Sequence, residues 1–303
     1  MKLTRRDLGK LAAAAIPGAE LFAASQVWAQ RAAKPDSKVA GVQIGLNVPY
    51  NFGGRDMEAT ELLDRIVKLN VNAVEMRSQP VESFLGSPAA NGQKADADVM
   101  RQWRAKVPMD RVAAFRKKYE DAGVLIEIVK YDGIYNMADA EVDYCFNLAR
   151  TLGARALSCE IDAKHTQRIG QFADRHKLPV AYHGHATTTP SDWEAAFAQA
   201  RYNWANLDIG HFVAGNNTSP VPFLKQHHAR ISHIHVKDRK MKEGPNTPFG
   251  EGDTPIAEVL RLIRDNKWPI QATIEFEYPV PEGSDRMAEL ARTIDYCRKA
   301  LAS

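Results

Sequence analysis

The stretch Asn206–Gly215, "NLDIGHFVAG", places an acidic residue at the end of an apolar run and a histidine three residues later. Asp208 and His211 stand there beside a Gly-containing turn. Taken alone, Asp208 can be interpreted as a turn residue and His211 as a surface histidine. The interpretation of this stretch therefore depends on whether other apolar runs in the chain end in the same way.

Short β-rich runs recur eight times between residue 39 and the last helix-like segment, and helix-like sequence separates them. The runs are "VAGVQIGLN", "NAVEMR", "VLIEIVKYDG", "ALSCEID", "PVAYHGHAT", "ANLDIGH", "ISHIHVKD" and "ATIEFEYP". Strand–helix alternation predicts a parallel sheet, and eight units predict a closed barrel. The sequence therefore predicts an α/β fold, a single-domain (β/α)₈ TIM barrel over residues 39–303. A doubly wound open sheet is the alternative, but the first run lacks G-x-G-x-x-G and no P-loop motif occurs.

Two segments between the runs carry more specific signals. "SDWEAAFAQA" begins with Ser191 and has Glu194 three residues on, which predicts a capping-box start. Residues 78–108 separate the second run from its helix, and loops of this length are usually functional or disordered. We expect this segment to lie over the C-terminal mouth of the barrel, with Trp103 and Arg104 as substrate contacts. A solvated excursion is the alternative.

The composition is that of an ordinary globular chain, with 303 residues, 45% of them hydrophobic, and a formal net charge of +3. Lys and Arg are spread along the sequence, so no nucleic-acid or acidic-membrane partner is predicted. The cysteines Cys145, Cys159 and Cys297 fit neither a disulfide framework nor a zinc ribbon. Cys145 and Cys297 lie in helix-like patterns and are interpreted as small core residues.

The N-terminus carries the features of an export signal. Arg5 and Arg6 in "TRRDLGK" precede a short apolar segment, "LAAAAI", and small residues at Val27 and Ala29. This pattern predicts a signal peptide, and the twin arginines indicate the Tat route. We expect a signal peptide over residues 1–29, a linker over 30–38, and a periplasmic or secreted protein. No Cys lies at the cleavage point, so no stable membrane anchor is predicted.

Acidic and imidazole side chains collect at the ends of five successive predicted strands. They are Ser158, Glu160 and Asp162 on the fourth strand, His183 and His185 on the fifth, Asp208 on the sixth, His233, His235 and Lys237 on the seventh, and Glu275 and Glu277 on the eighth. Alternate side chains share a face, and barrel active sites lie at the C-terminal strand ends. Burying such groups unpaired is costly, and a shared divalent cation removes much of that cost. Glu, Asp and His without a Cys pair favour Mn²⁺, Co²⁺, Zn²⁺ or Mg²⁺. Asp208 is thus predicted to bind metal, and His211, just beyond the strand, to contact substrate.

Five motifs resemble, in the same order, those of the sugar phosphate isomerase/epimerase superfamily, the xylose isomerase-like TIM barrels. "AYHGH" is similar to the family's "AYHNH" fifth strand, and "LDIGH" to its "LD-x-GH" sixth strand. "IHVKDR" is similar to "VHLKDR", "GEGD" (Gly250–Asp253) to the loop before the last helix pair, and "TIEFE" to the terminal "IE" strand. The resemblance covers nearly the whole chain after the predicted signal.

The resemblance implies roles for individual residues. The predicted metal ligands are Glu160, Asp208, His235 and Glu275; the predicted catalytic residues are Glu160, Glu275 and Lys237; the predicted substrate-binding residues are His183, His185, His211, Asp238 and Glu277. The family commonly has an acidic ligand on the fifth strand, where this chain has His183. We therefore expect Glu160 to supply the carboxylate and His183 to lie beside the metal as ligand or substrate contact. Lys237 and Asp238 match a pair that orients His235 or a substrate hydroxyl.

These residues predict metal-assisted proton transfer next to the carbonyl of a small carbohydrate. The cation would stabilise the developing enediolate, and Glu160 or Glu275 would remove the proton, with His183 or Lys237 as alternates. Returning the proton gives an isomerase or epimerase, which is the leading expectation. Expelling a β-substituent gives a lyase, for instance on a 3-keto-glycoside or an inosose. Export without obvious phosphate-binding loops favours a non-phosphorylated sugar.

Two other functional classes use the same barrel. Endonuclease-IV-like DNA repair needs three zinc ions and histidines on the second and third strands, where this chain has Glu75 and "VKYDG". A non-catalytic carbohydrate-binding barrel would bind sugar without metal, and the intact series of strand-end groups argues against it. Two-fold association is common among such barrels, so a homodimer is an open alternative to the monomer.

Overall fold

A computed structural model describes residues 34–303, so the predicted signal peptide and the first part of the predicted linker lie outside the described residues. Eight parallel strands form its centre: β1 (Val42–Val48), β2 (Ala73–Arg77), β3 (Leu125–Lys130), β4 (Ala156–Glu160), β5 (Val180–His183), β6 (Asn203–Asp208), β7 (Ile231–Val236) and β8 (Gln271–Ile274). Each strand pairs with the next one in the chain, and β8 pairs with β1. The sheet is therefore closed, and the predicted (β/α)₈ TIM barrel is confirmed.

Helices surround the barrel and return the chain from the end of one strand to the start of the next. They are α1 (Ala59–Lys68), α2 (Ser78–Phe84), α3 (Ala97–Arg104), α4 (Met109–Asp121), α5 (Asp139–Thr151), α6 (Thr166–His176), α7 (Pro190–Gln199), α8 (Ile209–Asn216), α9 (Val221–His227), α10 (Ile256–Asp265) and α11 (Arg286–Ala302). Helix α10 shows the underlying pattern, because its buried residues Ile256, Val259, Leu260 and Ile263 recur at helical spacing. The core thus lies between the barrel wall and the inner faces of the helices.

The segment 78–108 is more ordered than a long loop. It contains the helices α2 and α3, and the Asp96 carboxylate caps α3 by accepting a hydrogen bond from the Asp98 backbone N–H at 2.8 Å. An aspartate at the N-cap followed by helix-forming residues is a recognisable start signal. The helix was missed because it is short and follows a polar, Gly-containing stretch.

Trp103 and Arg104, the expected substrate contacts in this segment, make structural contacts instead. Arg104 Nε lies 3.0 Å from Glu82 Oε1, and its NH1 lies 2.9 Å from Glu141 Oε1. The Trp103 ring packs edge-on against Tyr144, with 6.4 Å between the ring centres. These contacts fasten α3 to α2 and α5, so the two residues stabilise the outer wall.

The capping box of α7 lies two residues before the predicted position. Pro190 is the first helical residue, as is common for proline. Thr189 is the N-cap, and its backbone N–H donates to Asp192 Oδ2 at 2.7 Å. The predicted pair Ser191 and Glu194 is therefore wrong, while the start of a helix in this region is correct.

The remaining expectations about the chain as a whole concern the cysteines and membrane contact. Cys145, Cys159 and Cys297 are free and buried, so the interpretation of Cys145 and Cys297 as core residues is confirmed. Within residues 34–303, no helix combines the length and the apolar character needed to cross a bilayer.

The strand register brings the predicted site residues to one end of the barrel. Glu160, His183 and Asp208 are the last residues of β4, β5 and β6. Glu160 pairs with His183 across β4 and β5, and Asp208 pairs with His235 across β6 and β7. Glu275 follows β8 directly. Parallel strands that end at the same level therefore deliver these side chains to the C-terminal mouth.

Candidate active site

Four buried donor atoms converge at the centre of the barrel mouth. His183 Nε2 lies 3.4 Å from Asp208 Oδ2 and 3.9 Å from Glu275 Oε2. His235 Nδ1 approaches the same two oxygens, at 3.8 Å and 3.2 Å. His211 joins the group, since its ligand atom lies within 4.8 Å of those of His183, Asp208 and Glu275. Carboxylate oxygens and imidazole nitrogens from four strands thus face a common point.

The geometry of this group fits a divalent cation. Among residues 34–303, the buried atoms Glu275 Oε2 and His235 Nδ1 form no hydrogen bond of good geometry, and Glu275 Oε2 is paired with the Lys237 ammonium at 2.7 Å. Metal–ligand bonds of about 2.1 Å place neighbouring ligand atoms roughly 3.0–3.5 Å apart, close to the 3.2 Å between these two atoms. Mixed nitrogen and carboxylate donors suit Zn²⁺, Mn²⁺ or Co²⁺. Asp208, Glu275, His235 and His183 are therefore the residues that could hold the ion.

The ammonium of Lys237 lies among the same oxygens. Its Nζ is 2.7 Å from Glu275 Oε2, 3.1 Å from Asp208 Oδ2 and 2.6 Å from Glu277 Oε2. Burial alone would lower the pKa of Lys237, but the Asp208 and Glu275 carboxylates raise it above its ordinary value. In the protein alone, this ammonium supplies the positive charge that the buried carboxylates require.

A second buried group, formed by Glu75, His233 and His235, extends the site into the barrel. Glu75 Oε2 lies 2.5 Å from His235 Nε2, and Glu75 Oε1 lies 3.5 Å from His233 Nε2. When His235 is neutral, a carboxylate at Nε2 keeps the proton on that nitrogen and leaves the lone pair on Nδ1. Glu75 therefore orients His235 so that Nδ1 faces Glu275.

Glu160 lies on the far side of the His183 ring. Its Oε2 contacts His183 Nδ1 at 2.7 Å and His185 Nε2 at 2.8 Å, while its Oε1 contacts Lys130 Nζ at 2.7 Å. Of the four predicted metal ligands, the structure brings together Asp208, His235 and Glu275, and it connects Glu160 to them through His183. A carboxylate bonded to the outer nitrogen of an imidazole orients that ring towards a cation.

The charges of the group shift its pKa values strongly. Burial would raise the pKa of Asp208, but the His211 and Lys237 charges hold it well below its usual range. Burial would lower the pKa of His235, but Glu275 and Glu75 raise it to about 10. Burial lowers the pKa of His211 to about 4, and the Asp208 charge opposes this only in part. The carboxylates are therefore ionised, and His211 is neutral, at neutral pH.

Asp238, predicted to contact substrate, binds the loop that follows it. Its carboxylate accepts hydrogen bonds from the backbone N–H groups of Gly250, Gly252 and Thr254, at 2.8, 2.9 and 3.1 Å. A Cβ at Gly252 would collide with the Asp238 carboxylate, so only glycine fits there. Both oxygens of Asp238 are thus committed to the "GEGD" loop.

An open cleft of about 300 Å³ lies over the group and gives a substrate access to it. Glu160, His183, His185, Glu275 and Glu277 line it, together with the cations Arg55, Arg77 and Lys130. Glu277 also accepts a hydrogen bond from the Tyr50 hydroxyl at 2.8 Å. The size is at the lower end of the range for small-molecule sites, and charged and imidazole side chains make up most of the lining.

Sequence reasoning missed three charged residues of the site. Glu75 and Lys130 are buried charges in mostly apolar strands, and Arg77 forms an ion pair with Asp132 in the cleft. A charged residue inside an otherwise apolar strand is an available signal, because an unpaired buried charge is costly. That signal identifies Glu75 and Lys130 but not their partners.

Comparisons with known proteins agree with a xylose isomerase-like barrel. Residues 155–300 match the family model described as the xylose isomerase-like TIM barrel, and this range contains all the predicted metal ligands and catalytic residues. An inosose dehydratase from Clostridium botulinum is 25% identical over 133 residues, which are 36% of this chain and 44% of that protein. The alignments span 44% to 46% of the curated relatives, less than half of their length.

Solved structures share the fold at low sequence identity. The probable 3-DHS dehydratase of Bacillus anthracis has a TM-score of 0.61 and 13% identity, covering 84% of this chain and 98% of that one. D-Psicose 3-epimerase with D-tagatose, from Clostridium cellulolyticum H10, has a TM-score of 0.61 and 11% identity, covering 86% and 99%. At this identity the likeness concerns the fold.

Proposed function

We propose that this chain belongs to the xylose isomerase-like enzymes and is a divalent-metal-dependent isomerase or epimerase of a carbohydrate. The observation that carries the proposal is the convergence of Asp208 Oδ2, Glu275 Oε2 and His235 Nδ1 at one buried point, with Lys237 as the cationic partner of the two carboxylates. A bound divalent cation would supply Lewis-acid stabilisation of negative charge that develops on substrate oxygens.

Glu160 is the proposed base that removes the proton next to the carbonyl. Its side chain is 37% exposed and lines the cleft. Burial would raise its pKa, but the charge and hydrogen bond of His183 lower it below its usual range, so the carboxylate is ionised. A positioned base of this kind contributes about 10²–10⁴-fold to the rate. Lys130, bonded to the other oxygen, holds the carboxylate in place.

The other predicted site residues take supporting roles in this proposal. Glu275 holds the cation, and Lys237 neutralises the buried carboxylates when the cation is absent. His185 and Glu277 line the cleft that a sugar would occupy, and the centre of the His211 ring lies 5.0 Å from that of His185. We also propose that residues 1–29 direct export by the Tat route and that the substrate is a non-phosphorylated sugar; both proposals rest on the sequence.

A lyase is the second candidate, and two observations favour it. His185 is 57% exposed and lies 2.8 Å from the proposed base, so an acid and a base stand side by side in the cleft. The curated relatives are inosose dehydratases. In this case Glu160 takes the proton next to the carbonyl, a carbon–carbon double bond forms, and the carbon–oxygen bond to the β-substituent breaks. His185 gives its proton to the departing oxygen.

Incubation of the metal-loaded protein with ketoses, keto-glycosides and an inosose in D₂O, followed by NMR and mass spectrometry, separates the two candidates. Deuterium at one carbon without loss of a group marks an isomerase or epimerase. Loss of water or an aglycone marks a lyase. The Glu160→Gln variant should show neither, because the base is absent. Deuterium exchange at the wild-type rate in that variant would remove Glu160 from this role.

Metal content tests the site itself and the remaining alternatives. Asp208→Asn and Glu275→Gln should lose metal binding while the far-ultraviolet circular dichroism spectrum stays unchanged. Three zinc ions per chain would revive the DNA-repair alternative. Sugar binding that persists when a chelator is present, together with no turnover when the chelator is left out, would support a binding protein.

A further inference from the structure

A second cavity, of about 450 Å³, adjoins the cleft that lies over the proposed metal ligands. Tyr50, Arg55 and Glu277 line both spaces, so one bound molecule can extend from the cleft into the cavity. The cleft itself, at about 300 Å³, is at the lower end of the range for small-molecule sites. A substituent on the reacting carbohydrate therefore has room in the adjoining cavity.

Arg286 presents a fixed guanidinium to this cavity. Its Nη1 donates to the Asn51 backbone carbonyl oxygen at 3.2 Å, and its guanidinium carbon lies 4.9 Å from the centre of the Phe276 ring. Within the described part of the chain, Arg286 has no carboxylate partner. Gly53 leaves one edge of the guanidinium uncovered, because a Cβ at this position would lie 3.6 Å from Arg286 Nε. The remaining N–H groups of Arg286 can therefore donate to a ligand.

The other charged groups around the cavity leave it with an excess of positive charge. Arg55 is exposed, and its one carboxylate neighbour among residues 34–303 is Asp132, at 3.8 Å. Asp132 is already paired with Arg77. The carboxylate in the cavity lining belongs to Glu277, and the Lys237 ammonium neutralises it at 2.6 Å. Two guanidinium groups therefore face the cavity with most of their charge uncompensated.

We propose that this cavity is an oxyanion subsite and that the substrate is an acidic carbohydrate, such as a sugar acid or an acidic glycoside. Arg286 determines this specificity, because a guanidinium binds an oxyanion through two parallel hydrogen bonds. Phe276 and the Asn51 carbonyl hold the guanidinium in place before the substrate binds, which reduces the entropy lost on binding. The assignment of the substrate rests on the proposed function, whereas binding of the oxyanion requires no metal.

NMR titration of chelator-treated protein with D-glucuronate and D-glucose tests the subsite. Without a metal ion, the carboxylate cannot gain affinity by binding the proposed cation. D-Glucuronate should bind about 10–100-fold more tightly than D-glucose, the range typical of hydrogen bonds to charged groups. Arg286→Met should weaken D-glucuronate binding about tenfold or more and leave D-glucose binding within about twofold.

Two further variants separate the paired hydrogen bonds from charge alone. Arg286→Lys should bind D-glucuronate with intermediate affinity, because an ammonium keeps the charge but not the planar pair of donors. Arg292→Met is the matched control, since Arg292 lies on the same helix α11, pairs with Glu289 and lines a different cavity. The control should leave the affinities for both sugars unchanged.

Equal binding of D-glucuronate and D-glucose by the wild type, or equal losses in Arg286→Met and Arg292→Met, would overturn the proposal. D-Glucose 6-phosphate identifies the oxyanion. Tighter binding of D-glucuronate assigns a carboxylate, whereas tighter binding of the phosphate ester assigns a phosphate and refutes the proposal of a non-phosphorylated sugar.

Titration with Mn²⁺ separates this inference from the proposed function. If the wild type binds no Mn²⁺ but keeps the preference that depends on Arg286, the proposed function fails and the oxyanion subsite stands. If the protein binds Mn²⁺ and converts a neutral sugar without any preference for D-glucuronate, the oxyanion subsite is refuted and the proposed function stands.

Discussion

Replacing Lys237 tests whether its ammonium occupies the position of the proposed cation. Two unit charges 4 Å apart interact by about 4 kcal/mol at an effective dielectric constant near 20, so a divalent ion and an ammonium repel by about 8 kcal/mol at that distance. Lys237 Nζ lies 2.7 Å from Glu275 Oε2 and 3.1 Å from Asp208 Oδ2, so the ion and Lys237 compete for the same oxygens. The metal-bound state therefore requires Lys237 to withdraw from both.

Lys237→Met leaves these buried carboxylates without their partner in the metal-free protein. Breaking a buried ion pair from one side costs about 3–5 kcal/mol of stability. With metal bound, the ion supplies the charge, and most of that cost disappears. Because the substitution destabilises the metal-free protein more than the metal-bound protein, Lys237→Met should bind metal more tightly than the wild type. The expected gain in affinity is about 100-fold or more, since each 1.4 kcal/mol changes an affinity tenfold.

Urea unfolding with a chelator and with saturating Mn²⁺, together with calorimetric titration, measures both quantities. Lys130→Met is the matched control, because Lys130 is equally buried and bonds Glu160 at 2.7 Å instead of Asp208 or Glu275. The control should destabilise both forms alike and leave metal affinity within about twofold, the usual error of additivity. Unchanged or weaker metal binding in Lys237→Met would refute the competition between lysine and ion.

Three further outcomes are expected. Glu75→Gln removes the charge that orients His235, so metal affinity should fall about 10–100-fold with the fold retained; unchanged affinity in a titration would leave Glu75 a packing role only. Burial lowers the pKa of His235, but Glu275 and Glu75 raise it to about 10, above the unfolded value near 6.5. This stabilisation is complete below about pH 6.5 and is lost as the pH rises towards 10, so the urea midpoint of metal-free protein should fall across that window; a flat midpoint would contradict it. Arg5→Lys combined with Arg6→Lys should block export, measured by cell fractionation; normal export would rule out the Tat route.

The architecture was predictable because it depends on local periodicity. Eight apolar runs separated by amphipathic segments admit few topologies, and the closed barrel follows from their number. The errors lie where short-range signals compete. Helix α3 begins after a polar stretch, and α7 begins at Pro190 because proline suits the first helical position. In both cases the N-cap residue, Asp96 for α3 and Thr189 for α7, marks where the helix begins.

The site was predictable at the level of strand ends but not of side-chain pairing. Counting residues along strands places Asp208, His235 and Glu275 at the same end of the barrel, and the resemblance implies their role as metal ligands. Glu75 and His235 are 160 residues apart in sequence, so their contact depends on the closure of the barrel. The placement of Glu160 behind His183 depends on side-chain torsions, which periodicity does not specify. Sequence patterns therefore locate the group and leave its internal order to packing.

Glu277 determines how Lys237 makes room for the cation. A divalent ion and one ammonium balance the three carboxylates Asp208, Glu275 and Glu277 if Lys237 moves towards Glu277, its nearest partner at 2.6 Å. Glu277 is 19% exposed and is held by the Tyr50 hydroxyl, so it can keep the ammonium near the edge of the site.

Glu277→Gln should therefore weaken metal binding, because the displaced ammonium loses its acceptor. The same substitution in a Lys237→Met background should have little effect, since no ammonium remains to be displaced. Calorimetric titration of the two single variants and the double variant gives the coupling, which should be about 0.5–3 kcal/mol for residues in contact. Additive effects of the two substitutions would mean that Lys237 leaves the cation position by another route.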